Sequence, residues 1–265
     1  MKKIKSLFVA MLLLLSSCGS VPLTGRKQVL LVSDQEVLSS SLTQYSDYMK
    51  SAKKSSSKDG AAMVTRVGKK IAAATEQYLR NNGLESEIKN FAWEFNLVND
   101  PQVNAFCMPG GKIVVYEGLM QLVSSDDELA VVVGHEVAHA VAKHSNERMS
   151  QQLMAQYGAQ ILGQALSNKS AAVQKIGASV YGLGAQYGVM LPFSRKHESE
   201  ADYMGLVFMA MAGYNPAVAV NFWQKMSAGK SGSTPEFMST HPSDATRINE
   251  IKQHLPEIEK YRVKK

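Results

Sequence analysis

The amino-acid sequence predicts an α+β domain, mostly α, with a small and mostly antiparallel sheet. Two observations carry this. Apolar residues recur at helical spacing over several long stretches, two of them opened by capping signals. One region alone, residues 91–116, switches to short apolar runs separated by turn residues. A length of 265 residues leaves room for one sizeable domain with tails, and 45% hydrophobic against 20% charged residues is an ordinary globular balance.

Residues 1–17 read as a lipoprotein signal peptide. Lys2, Lys3 and Lys5 precede an apolar run over residues 7–15, which ends at Ser16, Ser17 and Cys18. The run is short for a membrane-spanning helix. Leu15-Ser16-Ser17-Cys18 looks like a lipobox, making Cys18 the expected lipidation site and the membrane anchor; the alternative is a plain signal in which Cys18 is incidental. Without the three lysines the formal charge falls from +6 to +3, so no nucleic-acid partner is expected. Cys107 is then the remaining cysteine, and stability must come from core burial rather than a disulfide. Residues 18–32, with Pro22, Gly25 and basic side chains, read as a tether, and residues 33–265 as the main domain.

Ser33-Asp34-Gln35-Glu36 has capping-box spacing and opens a first helix. Residues 53–60 form a polar loop. Val64, Val67, Ile71 and Ala74 then mark a second helix facing a core, stopped at Asn81-Asn82-Gly83. Trp93, Phe95, Leu97 and Val98 suggest a strand, and residues 103–106 and 113–116 two more, joined by Met108-Pro109-Gly110-Gly111. Ser125-Asp126-Asp127-Glu128 is a second capping box, opening a helix that continues towards Gln152. Residues 155–189, rich in Ala, Gly and Gln, read as one or two loosely packed helices over a cleft. Asn168, Lys169, Gln174 and Lys175 interrupt them, so no membrane hairpin is expected. A last helical region runs from Glu198 past Met211 and breaks at Gly213 and Pro216.

His135-Glu136-Val137-Ala138-His139 lies inside the second capped helix. Histidines four apart share a helix face, so both imidazoles can reach one ion. Glu136 between them can act as general base on a water at the open coordination position, where Zn²⁺ lowers the water's pKa and polarises a carbonyl. Val131, Val132, Val133, Val137, Ala138 and Ala140 make this an apolar helix, unlike a solvated charged face. A metzincin would carry Gly at position 142 and His at position 145; this chain has Ala142 and Ser145. His144, out of that register, reads as a surface or capping residue. The other source of a third ligand is Glu198-Ser199-Glu200-Ala201-Asp202. Glu198 and Asp202 share a face, so one can bind zinc while the other accepts from a ligand histidine; Glu200 points elsewhere, towards solvent.

With Ser194-Arg195, Gly205, Asn104-Ala105-Phe106, Pro109-Gly110-Gly111, Gly118-Leu119 and Ser239-Thr240-His241-Pro242 with Arg247, these motifs resemble the gluzincin family that contains HtpX, the CAAX prenyl proteases and the periplasmic proteases LoiP and BepA. The resemblance covers roughly residues 60–255. It implies a zincin-like metallopeptidase fold, one Zn²⁺ held by His135, His139 and Glu198, and Asp202 as the partner of a ligand histidine. Lacking the transmembrane set of some members and a repeat domain after residue 265, the chain looks most like the short lipoprotein members. An edge strand beside the metal helix is expected to pair with extended substrate, either residues 113–116, with Ile113 and Val114, or residues 104–108, with Gly110 and Gly111 allowing close backbone approach. His241 stabilises an oxyanion, or, by resemblance to the BepA-like members, fills the open zinc position and holds the enzyme latent, or is a surface histidine before a proline. Arg247 either steadies the site or makes a surface ion pair.

These expectations combine into a zinc metalloendopeptidase that cleaves unfolded or misassembled envelope proteins. It would be lipid-anchored at the outer membrane and face the periplasm. The rival is a metal-stabilised chaperone or assembly factor with secondary peptidase activity. A purely structural zinc would take four protein ligands and need no base, so Glu136 favours the enzyme.

Overall fold

The computed structural model describes residues 18–167, 191–228, 237, 241 and 245–263. The expected signal peptide, the helices expected over residues 168–189, and Ser239, Thr240 and Pro242 lie outside them. Residues 18–32 are not a loose tether. β1 (Cys18–Ser20) pairs antiparallel with β2 (Lys27–Val29), with Cys18 opposite Val29. Val21 is buried in the core, and Leu23 and Gly25 turn the chain with positive φ of 71° and 67°. Pro22, Gly25 and the basic residues gave a tether-like composition; burial of Val21 and pairing of Arg26 make the segment part of the domain.

Ser33 accepts from the Glu36 amide at 3.3 Å and Glu36 accepts from the Ser33 amide at 3.1 Å, so α1 (Asp34–Ser51) starts with a complete capping box. α2 (Lys58–Asn81) buries Val64, Val67 and Ile71 fully, at the expected helical spacing, and ends where Gly83 takes a φ of +70°. A short α3 (Glu85–Ile88) leads into the sheet.

The three-stranded sheet is mixed, not mostly antiparallel. β3 (Glu94–Val98) runs parallel to β5 (Lys112–Tyr116), and β4 (Ala105–Met108) pairs with β5 antiparallel, giving the order β3–β5–β4. Residues 99–104 carry the chain past β5 before the β4–β5 hairpin returns between its neighbours. The run Ile113-Val114-Val115 shows why β5 takes the centre. A strand with apolar residues on both faces must be covered on both, and a central position covers it. Ile113 and Val115 join the main core, whereas Val114 and Tyr116 pack with Tyr45 of α1 and Val98 in a second cluster.

After α4 (Glu117–Met120), α5 (Asp126–Val141) opens on half of its expected capping box. Ser125 accepts from the Glu128 amide at 3.2 Å, but the Glu128 carboxylate turns to the Ser124 amide and to Lys225. The helix does not continue to Gln152. Lys143 adopts a left-handed φ of 57°, with its ammonium held by Asp34 at 2.7 Å and Glu87 at 2.8 Å, and the chain restarts as α6 (His144–Leu166). α7 (Leu191–Met211), α8 (Val218–Ala228) and α9 (Ala245–Ile258) complete the helical layer, with Phe208, Phe222, Trp223 and Phe237 fully buried among them. No helix of the described residues is long and apolar enough to cross a membrane.

α5 and α7 meet backbone to backbone. A Cβ added to Gly134 would stand 2.9 Å from the Gly205 carbonyl oxygen, and one added to Gly205 would stand 2.8 Å from the Gly134 carbonyl carbon. Neither obstacle is a side chain that can swing away, so the helices would have to separate. Gly205→Ala is expected to destabilise the protein by about 1–3 kcal/mol, the usual cost of overpacking a core, read from urea unfolding. Unchanged stability would show that the crossing tolerates a methyl group.

Candidate metal centre

The crossing places two faces opposite each other. His135 and His139, four apart on α5, face Glu198 and Asp202, four apart on α7. His135 Nε2 lies 3.0 Å from His139 Nε2 and 3.2 Å from Glu198 Oε2, and Glu198 Oε1 lies 3.4 Å from His139 Nε2. His241 Nδ1 joins them, 3.2 Å from His135 Nε2 and 3.0 Å from Glu198 Oε2. Tetrahedral zinc with bonds of about 2.0–2.1 Å separates its ligand atoms by about 3.3–3.4 Å. These donor pairs already stand near that spacing, and all four donors lie within 4.8 Å of one another.

Outer partners decide where the imidazole protons sit. Asp202 Oδ1 lies 3.0 Å from His135 Nδ1, and Asp202 is also bound at both oxygens by Arg247. An ionised carboxylate only accepts, so His135 carries its proton on Nδ1 and presents a lone pair at Nε2. Likewise, His144 Nε2 faces Glu200 Oε2 at 3.0 Å and must donate. His144 Nδ1 therefore accepts from His139 Nδ1 at 2.8 Å, which leaves a lone pair at His139 Nε2. Two lone pairs and a carboxylate then point at one place. Charge leads the same way: the buried carboxylates Glu136, Glu198 and Asp202 face a single buried arginine, Arg247. With the histidines neutral, as ligation requires, the excess of two negative charges suits a divalent cation, and imidazole with carboxylate donors suits zinc.

The acidities reflect this crowding. In the metal-free protein burial opposes the charged form of His135, but hydrogen bonds to Asp202 and Glu198 outweigh it and hold the imidazole up at about 9, so Nε2 offers its lone pair only when a bound cation displaces that proton. His139, less fully covered, is still pushed well below the ordinary imidazole range by its burial, with His135 adding to the effect. Burial acts to raise Glu198, yet the imidazoles of His135, His139 and His241 packed against it keep it far below the usual carboxylate range. Glu136 moves the other way. Burial raises it, against the pull of His241 and His135. Its Oε2 accepts from the Cys107 amide at 3.1 Å, while Oε1 is buried with no hydrogen-bond partner and stands 3.4 Å from His241 Nε2. A carboxylate oxygen held ready beside the donors is what a general base for a bound water requires.

The family model described as peptidase family M48 matches residues 65–255. The chain belongs to peptidase family M48. Among its curated relatives, mitochondrial metalloendopeptidase OMA1 of Schizosaccharomyces pombe is 36% identical over 205 residues, which are 74% of this chain and 53% of that protein. OMA1 of Arabidopsis thaliana is 40% identical over 168 residues, 63% of this chain and 33% of that protein. The β-barrel assembly-enhancing protease of Yersinia pestis is 33% identical over 174 residues, 61% of this chain and 36% of that protein. The chain thus spans about half or less of the length of these relatives.

In this M48 chain the sequence-predicted residues His135, Glu136, His139, Glu198, Asp202, His241 and Arg247 come together. Arg247 is buried rather than on the surface, and it stacks on Trp223 at 4.5 Å. The substrate-facing residues divide. Ile113 and Val114 lie in the central strand, fully buried, and cannot pair with a peptide. β4 is the sheet edge that lies beside Glu136. Gly110 and Gly111 form the turn at its end with positive φ, and Gly111 lies beneath the Trp93 ring, where a Cβ would come within 2.5 Å. The Gly111 requirement is therefore met by Trp93 packing. For Cys18, the structure gives backbone pairing with Val29 and no more.

Two further expectations are overturned. His144 is not on the surface and Glu200 is not solvated; they are 2% and 8% exposed and bonded to each other. The break at Lys143 turns His144 back against His139. A lysine gives no sequence signal for a left-handed residue, so an unbroken helix would have misplaced everything after it. Also missed were Arg26, Glu147 and His197. Arg26 makes two bonds to Glu147, at 2.8 and 2.6 Å, and one to Glu200 at 2.8 Å. His197 Nε2 bonds Glu147 at 3.0 Å. Burial also pushes His144 well below the usual imidazole range, with His197 and Arg26 adding to it.

Glu147 offers a pH test. Burial acts to raise it, but hydrogen bonds from His197 and Arg26 prevail and bring it from an ordinary 4.5 to about 2. A carboxyl lowered on folding stabilises the fold above its unfolded value, and that contribution is lost as pH falls through the folded one. Stability of the metal-free protein should therefore decline between about pH 4.5 and 2, more steeply in wild type than in Glu147→Gln. Equal slopes in acid titrations followed by urea unfolding would contradict the pairing.

Proposed function

We propose that this chain is a zinc-dependent metalloendopeptidase that hydrolyses peptide bonds by a metal-bound water, without a covalent intermediate. The carrying observation is the convergence of the His135 and His139 lone pairs and the Glu198 carboxylate beside the unpartnered Oε1 of Glu136. Zinc bound there would supply an acidified water and a polarised scissile carbonyl. Glu136 Oε1 would take the water's proton, and burial, which raises its pKa, prepares it to pass that proton to the leaving amine. Arg247 and Asp202 would hold His135 in its ligating tautomer. Extended substrate would add to the edge of β4, whose Cys107 amide already touches Glu136.

The proposed substrates are unfolded or misassembled proteins of a bacterial envelope. The signal-like residues 1–17, the lipobox ending at Cys18 and the likeness to a β-barrel assembly-enhancing protease support this. The same features support a LoiP-like lipoprotein anchored at the outer membrane and facing the periplasm. Glu136→Gln is the direct test. It should retain zinc and lose casein cleavage by about 10²–10⁴-fold, the usual contribution of a general base. Cleavage equal to wild type would remove the mechanism.

The position of His241 favours a latent resting state over an oxyanion role. Its Nδ1 stands among the ligands, in the fourth corner where water would bind, and its ring stacks on Phe237 at 4.5 Å. His241→Ala is expected to raise basal casein cleavage several-fold. A steep fall would instead assign His241 to the transition state.

A further inference from the structure

We propose that Arg26 is a positioning residue for the metal centre, acting through Glu200 and His144 to fix the orientation and tautomer of His139. This rests on the reading of His139 as a zinc ligand. It brings into the site a hairpin that lies outside the family match at residues 65–255.

The path is continuous and each step has one direction. Arg26 Nε and His144 Nε2 both bond Glu200 Oε2, at 2.8 and 3.0 Å. Thr24, in the same hairpin turn, donates from its hydroxyl to Glu200 Oε1 at 2.5 Å. Glu200 is thus bound at both oxygens by the hairpin and has one further task, which is to receive the His144 proton. That leaves His144 Nδ1 as the acceptor for His139, at 2.8 Å. A histidine whose outer nitrogen is pinned as a donor presents its inner nitrogen to the metal.

Arg26 also prevents a charge conflict. Its Nη1 and Nη2 groups hold Glu147, so one guanidinium separates two buried carboxylates at 3% and 6% side-chain exposure. Without it Glu147 would keep His197 alone and Glu200 only Thr24 and His144, leaving two buried carboxylates short of compensation, which a fold relieves by moving them apart. Moving Glu200 would release His144, and His139 would lose the acceptor that orients it. The two ligand histidines are therefore braced by separate arginine–carboxylate pairs, His135 by Arg247 and Asp202, His139 by Arg26 and Glu200 through His144.

The test reads zinc affinity by chelator competition in wild type, His135→Ala, Arg26→Gln, His144→Ala and the Arg26→Gln/His144→Ala double variant. Far-UV circular dichroism confirms the fold of each. Loss of an outer partner of a metal ligand typically weakens binding about 10–100-fold. Arg26→Gln and His144→Ala should each fall in that range. The double variant should bind within about twofold of His144→Ala, because residues on one path are not additive. Wild-type affinity in Arg26→Gln, or losses that multiply in the double variant, would overturn the proposal while leaving the metal site intact. Equal affinity of wild type and His135→Ala would overturn the metal site itself. If Arg26→Gln does not fold, Arg26→Lys replaces it. Its single ammonium cannot reproduce three bonds to two carboxylates, so weakened binding is expected and unchanged binding would refute the path.

Discussion

The contact between Gly134 and Gly205 is the constraint on which the rest of the structure depends. Two helices whose backbones touch have little freedom to slide or rotate, because each fills the groove of the other. Once that crossing is set, helical periodicity places His135 just beyond it on one side and Asp202 and Glu198 one and two turns away on the other. The ligand set is a by-product of helix geometry acting on one close approach. Wider packing, with side chains between the helices, would leave the carboxylates out of reach of the imidazoles.

Around that crossing the charges are nested. Three carboxylates and an arginine occupy the inner shell, and two more carboxylates share a second arginine outside it. Burying so many ionised groups opposes folding unless each is paired. Here the pairing also orients the two candidate ligand histidines. Metal geometry and charge balance depend on the same residues, so the outer network and the candidate site are one structure.

The sequence made the inner site legible because its spacing is local. A repeat of four residues on a helix has one consequence, and residues 135, 139, 198 and 202 each belong to such a pair. The helices of the core were equally readable from Val64, Val67 and Ile71. What escaped was set by tertiary context. The left-handed turn at Lys143 depends on Asp34 and Glu87, which are distant in sequence, and it redirects His144. Burial of Glu200 depends on Arg26, which composition alone placed in a tether. The parallel pairing of β3 with β5 had a sequence signal, the uninterrupted run Ile113-Val114-Val115, whose two apolar faces call for the sheet centre. Gly134 carried no signal in itself, since a glycine inside an apolar helix gains meaning only from what lies against it.

Crystallographic anomalous scattering at the zinc absorption edge, from protein loaded with one equivalent of zinc, tests the central claim most directly. The account predicts one ion bonded by His135 Nε2, His139 Nε2 and a Glu198 oxygen at about 2.0–2.2 Å. An ion elsewhere on the molecule, or one bound by the histidines with Glu198 out of bonding range, would contradict it.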